Sequence, residues 1–88
     1  MQLTEILSVA AELCPNRVHR DPVHREIVIV SKDGDSRVRI GHDPDQPPEW
    51  LSTREERNRH EQWDASSSEA IDTLDDVRKI CTELSSDD

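Results

Sequence analysis

Leu3, Ile6, Leu7, Ala10, Leu13 and Cys14 recur at the three-and-four spacing of one helix face. They predict an opening helix from about Leu3 to Cys14. Thr4 is the candidate N-cap. Pro15 ends the helix, because the residue before a proline avoids the α region, and Asn16 suits the left-handed position that follows. The pattern then changes period. His24 to Val30 is rich in β-branched residues, and Arg37 to His42 alternates. Between them, Asp33-Gly34 predicts a two-residue hairpin turn with positive φ at both positions. That register pairs Ile29 with Val38 and Ile27 with Ile40 on a core face. Val28, Val30, Arg37 and Arg39 fall on the other face, where a helix, the arginine stems or a partner must cover the valines. Arg17 to Arg20 is a candidate third strand, with its turn at Asp21-Pro22.

Beyond the hairpin the apolar signal thins. Residues 43–48 hold three prolines and predict a stiff internal linker. Glu49 to Trp63 reads as a polar helix. Ser52 with Glu55, and Thr53 with Glu56, have capping-box spacing, and Glu55 with Arg59, and Arg57 with Glu61, lie four apart. Trp50, Leu51 and Trp63 are its only anchors. The last helix is predicted to start at Ser66, with Glu69 completing its cap. Ala70, Ile71, Leu74, Val77, Ile80, Cys81 and Leu84 form its buried stripe. Glu69, Asp72, Asp75, Asp76 and Glu83 form the opposite face, broken by Lys79. The expected fold is α+β: one domain over residues 1–84, ordered helix, hairpin, helix, helix, with an acidic disordered tail over 85–88.

At 88 residues, with nineteen Leu, Ile and Val, the chain supports one thin core. No basic-then-apolar N-terminal run and no apolar stretch near the roughly 18 residues of a membrane span is present. A cytoplasmic protein is expected. Cys14 and Cys81 then serve as small buried hydrophobes that meet in the core, a disulfide between them being the alternative. Arg outnumbers Lys nine to two, as in a GC-rich genome, and abundant Asp suits concentrated salt.

Charge changes the picture most. Residues 1–42 carry six acidic and six basic side chains, whereas residues 43–88 carry fourteen acidic and five basic. The whole formal charge of −9 therefore belongs to the second half. Carboxylates on successive helical turns resemble the phosphates of a nucleic-acid strand, and would attract a protein that binds DNA or RNA through Lys and Arg. Against this stands the plain reading of a solvated, solubilising face.

Other chemistries find less support. The basic cluster Arg17, His19, Arg20, His24, Arg25, with Arg37 and Arg39, is a candidate phosphate-binding strand edge, but no aromatic interleaves the arginines and nearby acids neutralise them. Cys14, His19 and His24, joined by Cys81 or His42, lack the close ligand pairs of a structural zinc site, so no metal is expected. No cofactor is implied, since the two glycines build no phosphate loop. Cys14 precedes a proline on a core stripe, which suits packing better than thiolate catalysis. The expectation is a non-enzymatic acidic inhibitor or regulator. Its face of Glu69, Asp72, Asp75, Asp76 and Glu83 would occupy the basic surface of a nucleic-acid-binding protein or complex, as in a viral anti-defence or anti-CRISPR setting. Arg37, Arg39, Trp50 and Trp63 are candidates for a secondary interface, and open strand edges favour a homodimer. The alternatives are a salt-adapted interaction domain and a nucleic-acid binder using Arg20, Arg25, Arg37 and Arg39.

Overall fold

The computed structural model describes residues 1–85. Helix α1 spans Leu3–Leu13, and strands β1 (Val18–Asp21), β2 (Glu26–Val30) and β3 (Ser36–His42) follow. Strands β4 (Trp50–Arg57) and β5 (Trp63–Ala70) and helix α2 (Leu74–Leu84) complete the chain. The five strands form one antiparallel sheet in chain order, β1-β2-β3-β4-β5. Both helices lie on one face, where α1 packs on α2 and β1, and α2 packs on β2 and β3. The result is a small α+β domain of two layers.

The core is the meeting of the two apolar patterns. Ile6, Ala10 and Cys14 from α1 meet Ile27, Ile29, Val38 and Ile40 from the central strands and Val77, Cys81 and Leu84 from α2. Ile27 lies opposite Ile40 and Ile29 opposite Val38, as the alternation predicts. Val18–Asp21 is the third strand, and Asn16 sits at φ 66° after α1. The Cys14 thiol lies against the Cys81 carbonyl at 3.6 Å, and both cysteines are free.

Several elements differ from expectation. The N-cap of α1 is Gln2, not Thr4, and its backbone N–H donates to Glu5 Oε1 at 3.0 Å. In the β2–β3 turn only Gly34 has positive φ, at 78°. The loop is wider because the Asp33 carboxylate accepts from the Ser31 hydroxyl at 2.6 Å and from the Asp35 N–H at 2.9 Å. Residues 43–48 are not a spacer: they form the hairpin loop between β3 and β4, closed by the Asp43 N–H on the Glu49 carbonyl at 2.7 Å.

The expected polar helix over 49–63 is a strand and a turn. Trp50 anchors the segment in the core as expected, but from strand β4. Trp50, Ser52 and Arg54 share the helix side with Ile40 and Val38, while Leu51, Thr53 and Glu55 face outward with Arg39 and Arg37. Asn58 makes the turn: its Oδ1 accepts from the His60 and Gln62 N–H groups at 2.8 and 3.0 Å. The cap of the last helix comes seven residues later than expected, at Thr73 in place of Ser66. Ser66 and Glu69 belong to β5, and Thr73 with Asp76 forms the capping box. Ser85 caps α2 and accepts from Arg17 Nη2 at 2.9 Å, so it is part of the fold and not of a tail. The rest of the expected tail lies outside the described residues.

Candidate functional site

The five carboxylates expected on one helix face divide. Asp76 is a capping group: its Oδ2 accepts from the Asp72 N–H at 2.9 Å and the Thr73 N–H at 3.2 Å. Those two bonds, the Asp72 one foremost, hold its carboxyl below its ordinary range. Asp75 lies in the first turn, where the helix dipole favours it, and pairs with Arg78 Nη1 at 2.5 Å. Asp72 precedes the helix and is exposed. Glu69 lies on β5 opposite Ser52, whose hydroxyl donates to the Glu69 carbonyl at 3.0 Å. Glu83, in the last turn of α2, is 3.5 Å from Arg54 Nη1.

Three of the five still meet: Asp76 and Glu83 lie two turns apart on α2, and folding brings Glu69 to them from β5. Glu69, Asp76 and Glu83 line a groove of about 160 Å³ between β5 and α2, with Ser52, Lys79 and Ile80. Lys79 is the positive group in that lining, and Arg54, on the helix side of β4, reaches Glu83 from an adjoining hollow. The signal for Arg54 was the alternation Trp50, Ser52, Arg54, obscured by the charged residues between. β5 borders the groove as a free sheet edge, exposed at seven of its eight residues. Asp64 and Glu69 mark that edge with negative charge.

The secondary-interface candidates separate too. Trp50 is buried and stacks on His42, with ring centroids 4.1 Å apart. Arg37, Arg39 and Trp63 share the sheet face that no helix covers. Arg37 Nε donates to Glu55 Oε1 at 2.7 Å and its guanidinium lies 4.2 Å above the Trp63 ring. Arg39 donates to Glu26, and its Nη1 is 4.0 Å from Glu55. The Glu26 hydrogen bond, before any other influence, raises the Arg39 pKa further. Val28 opposes Arg39 and Val30 opposes Arg37, so an ionic lattice on arginine stems borders the half-buried valines.

The basic cluster divides: Arg20 and Arg25 border one concavity, and the rest lie elsewhere. Arg17 ties the two layers, donating to the carbonyls of Val30 and Leu84, both at 3.2 Å. The metal-ligand set is dispersed as well: Cys14 and Cys81 are in the core, His19 is on β1 and His24 in the β1–β2 turn. Burial, then the neighbouring Cys14, pushes the Cys81 thiol up to about 12, which makes it a poor ligand or nucleophile. Asp21, His24 and Glu26 bring ligand atoms within 4.8 Å of one another. They already have partners, His24 Nδ1 on Asp21 Oδ2 at 2.8 Å and Glu26 on Arg39.

No helix among the described residues is long and apolar enough to cross a membrane. Comparison with models of protein families, with curated proteins and with solved structures returns no match.

Proposed function

We propose that the protein is a non-enzymatic binding protein whose acidic side, built by β4, β5 and α2, occupies a basic protein surface of the kind that holds nucleic acid. One observation carries this reading. Because the sheet keeps chain order, the strands of the acidic half, β4 and β5, form one side of the sheet, and α2 meets β5 across the groove. The free edge of β5 and the groove of Glu69 and Glu83 give that side a shape as well as a charge. Clustered carboxylates favour a basic partner by complementarity and speed its approach. Asp72 and Asp75 extend the surface past the start of α2. Asp76 is excluded, since its carboxylate is committed to the helix cap.

The test replaces Glu69, Asp72, Asp75 and Glu83 together by their amides. The variant keeps the circular dichroism of the parent and no longer captures, from host lysate, a nucleic-acid-binding protein that free DNA competes away. Undiminished capture by the variant overturns the reading.

A further inference from the structure

A second site of opposite sign lies at the far end of the sheet. Of the nine arginines, Arg17, Arg37, Arg39, Arg54, Arg57 and Arg78 have hydrogen-bond or ion-pair partners. Among the described residues Arg59, in the β4–β5 turn, has none, and neither do Arg20 and Arg25. These two line one concavity of about 530 Å³, with Leu3, Pro22, His42 and Pro44 as its other walls.

The acids near them in sequence are engaged elsewhere. Asp21 accepts from the N–H groups of Val23 and His24 at 3.0 and 3.2 Å and from the His24 ring. Glu26 is held by Arg39. In a chain of net charge −9, two unneutralised guanidiniums therefore face one cavity. Arg25 also sits at φ 54°, a left-handed turn position that glycine or asparagine would occupy with less strain. Non-glycine residues held in this backbone region gather at binding sites. Leu3 is the first residue of α1, so the N-terminus of that helix, capped by the Glu5 carboxylate, borders the concavity. His42 is fixed as a wall by its stack on Trp50 and its hydrogen bond to Glu49 at 2.9 Å.

We propose that this concavity binds a small phosphate monoester, with the phosphate between Arg20 and Arg25 and the organic part against Leu3, Pro22 and Pro44. Two guanidiniums offer more donors than one carboxylate can accept, whereas a phosphate dianion has three oxygens to share between them. The apolar walls select an ester over the bare ion.

The experiment is calorimetry and amide NMR with inorganic phosphate, phenyl phosphate and benzoate at constant ionic strength. Phenyl phosphate is expected to bind best and to shift the amides of residues 20–25 and Leu3. Arg20→Gln and Arg25→Gly should each weaken it about tenfold or more, as expected for a charge-assisted hydrogen bond. Arg25→Gly also relieves the left-handed strain, so its melting temperature should hold or rise while binding falls. That combination separates a lost ligand contact from a lost fold. No binding of phenyl phosphate at millimolar concentration, equal binding of benzoate, or full binding by both variants overturns the proposal.

Discussion

A single carboxylate shows how the acidity of this chain is divided between folding and surface. Asp76 accepts two backbone N–H groups that the first turn of α2 would otherwise leave unsatisfied. Its carboxyl is held below the ordinary range, so the folded state favours the ionised form. The sign follows from linkage. The unfolded chain binds the proton more readily, so the stabilisation is complete above the ordinary carboxylate range and fades as pH falls through the lowered folded value. Asp76→Ala should therefore lower the urea midpoint at neutral pH, and the difference from the parent should shrink toward zero in strong acid. A constant difference across pH would show that the charge is not what stabilises the cap. Asp72→Asn, at an exposed site before the helix, should leave the midpoint unchanged under both conditions. In the core the relevant quantity is volume. Ile40 is fully buried at the centre of the sheet, and Ile40→Ala should remove about 2–5 kcal/mol, measured by urea denaturation. Total stability for a domain of this kind is about 5–15 kcal/mol, so that one change is a large fraction of it.

At the scale of elements, the outward face of the sheet shows how a half-apolar surface exists without a covering helix. Glu55 lies between Arg37 and Arg39, and only 13% of its side chain is exposed. Glu55→Ala leaves two guanidiniums facing each other across valines, and should cost about 1–2 kcal/mol after allowance for partial solvent screening. A double-mutant cycle of Arg37 with Glu55 should show coupling of at least about 0.5 kcal/mol; none would mean that the lattice is ornamental. The same lattice explains what the sequence concealed. The helix α1, the register of Ile27 and Ile29 against Ile40 and Val38, and the apolar stripe of α2 were legible because each repeats a short period in large aliphatics. Residues 49–63 were not legible. Their Glu and Arg side chains satisfy helical four-residue spacing and cross-strand pairing equally well, and only tertiary contact separates the two. Arg37 opposite Glu55, eighteen positions apart, with Trp50 in the core, supplies that contact. Ser66 and Glu69 failed for a related reason: a serine before a glutamate has capping spacing in any conformation, and β4 captures them first. The acidic site was thus readable as composition but not as geometry. The pairing of Arg20 with Arg25 at one concavity was readable only once their neighbours' partners were known.

At the scale of the whole molecule, the chain carries a net charge of −9, and its fold has a radius of gyration of 12.3 Å. The Debye length is about 10 Å at 0.1 M salt and about 30 Å at 0.01 M, so at low salt each carboxylate feels most of the others. Folding then works against self-repulsion, which the Arg78–Asp75 and Arg54–Glu83 pairs relieve only locally. Raising KCl should lift the urea midpoint of the parent. The lift should be smaller in the variant with Glu69, Asp72, Asp75 and Glu83 as amides, because four of the repelling charges are gone. The same titration separates the two meanings of the acid. A recognition surface requires a protein already folded at low salt, with partner capture weakening as KCl rises, since screening acts on the complex as well as on the free chain. A salt-adapted domain instead gains helical and sheet signal only toward molar KCl, and any partner it binds is held more firmly there. Full circular dichroism at 0.01 M salt with capture lost above about 0.3 M favours recognition, because screening at that strength leaves the core intact while removing attraction beyond the first contact. An unfolded chain at low salt would assign the acid to solvation, and would leave the uncovered lattice face and the Arg20–Arg25 concavity as the surfaces through which this domain works.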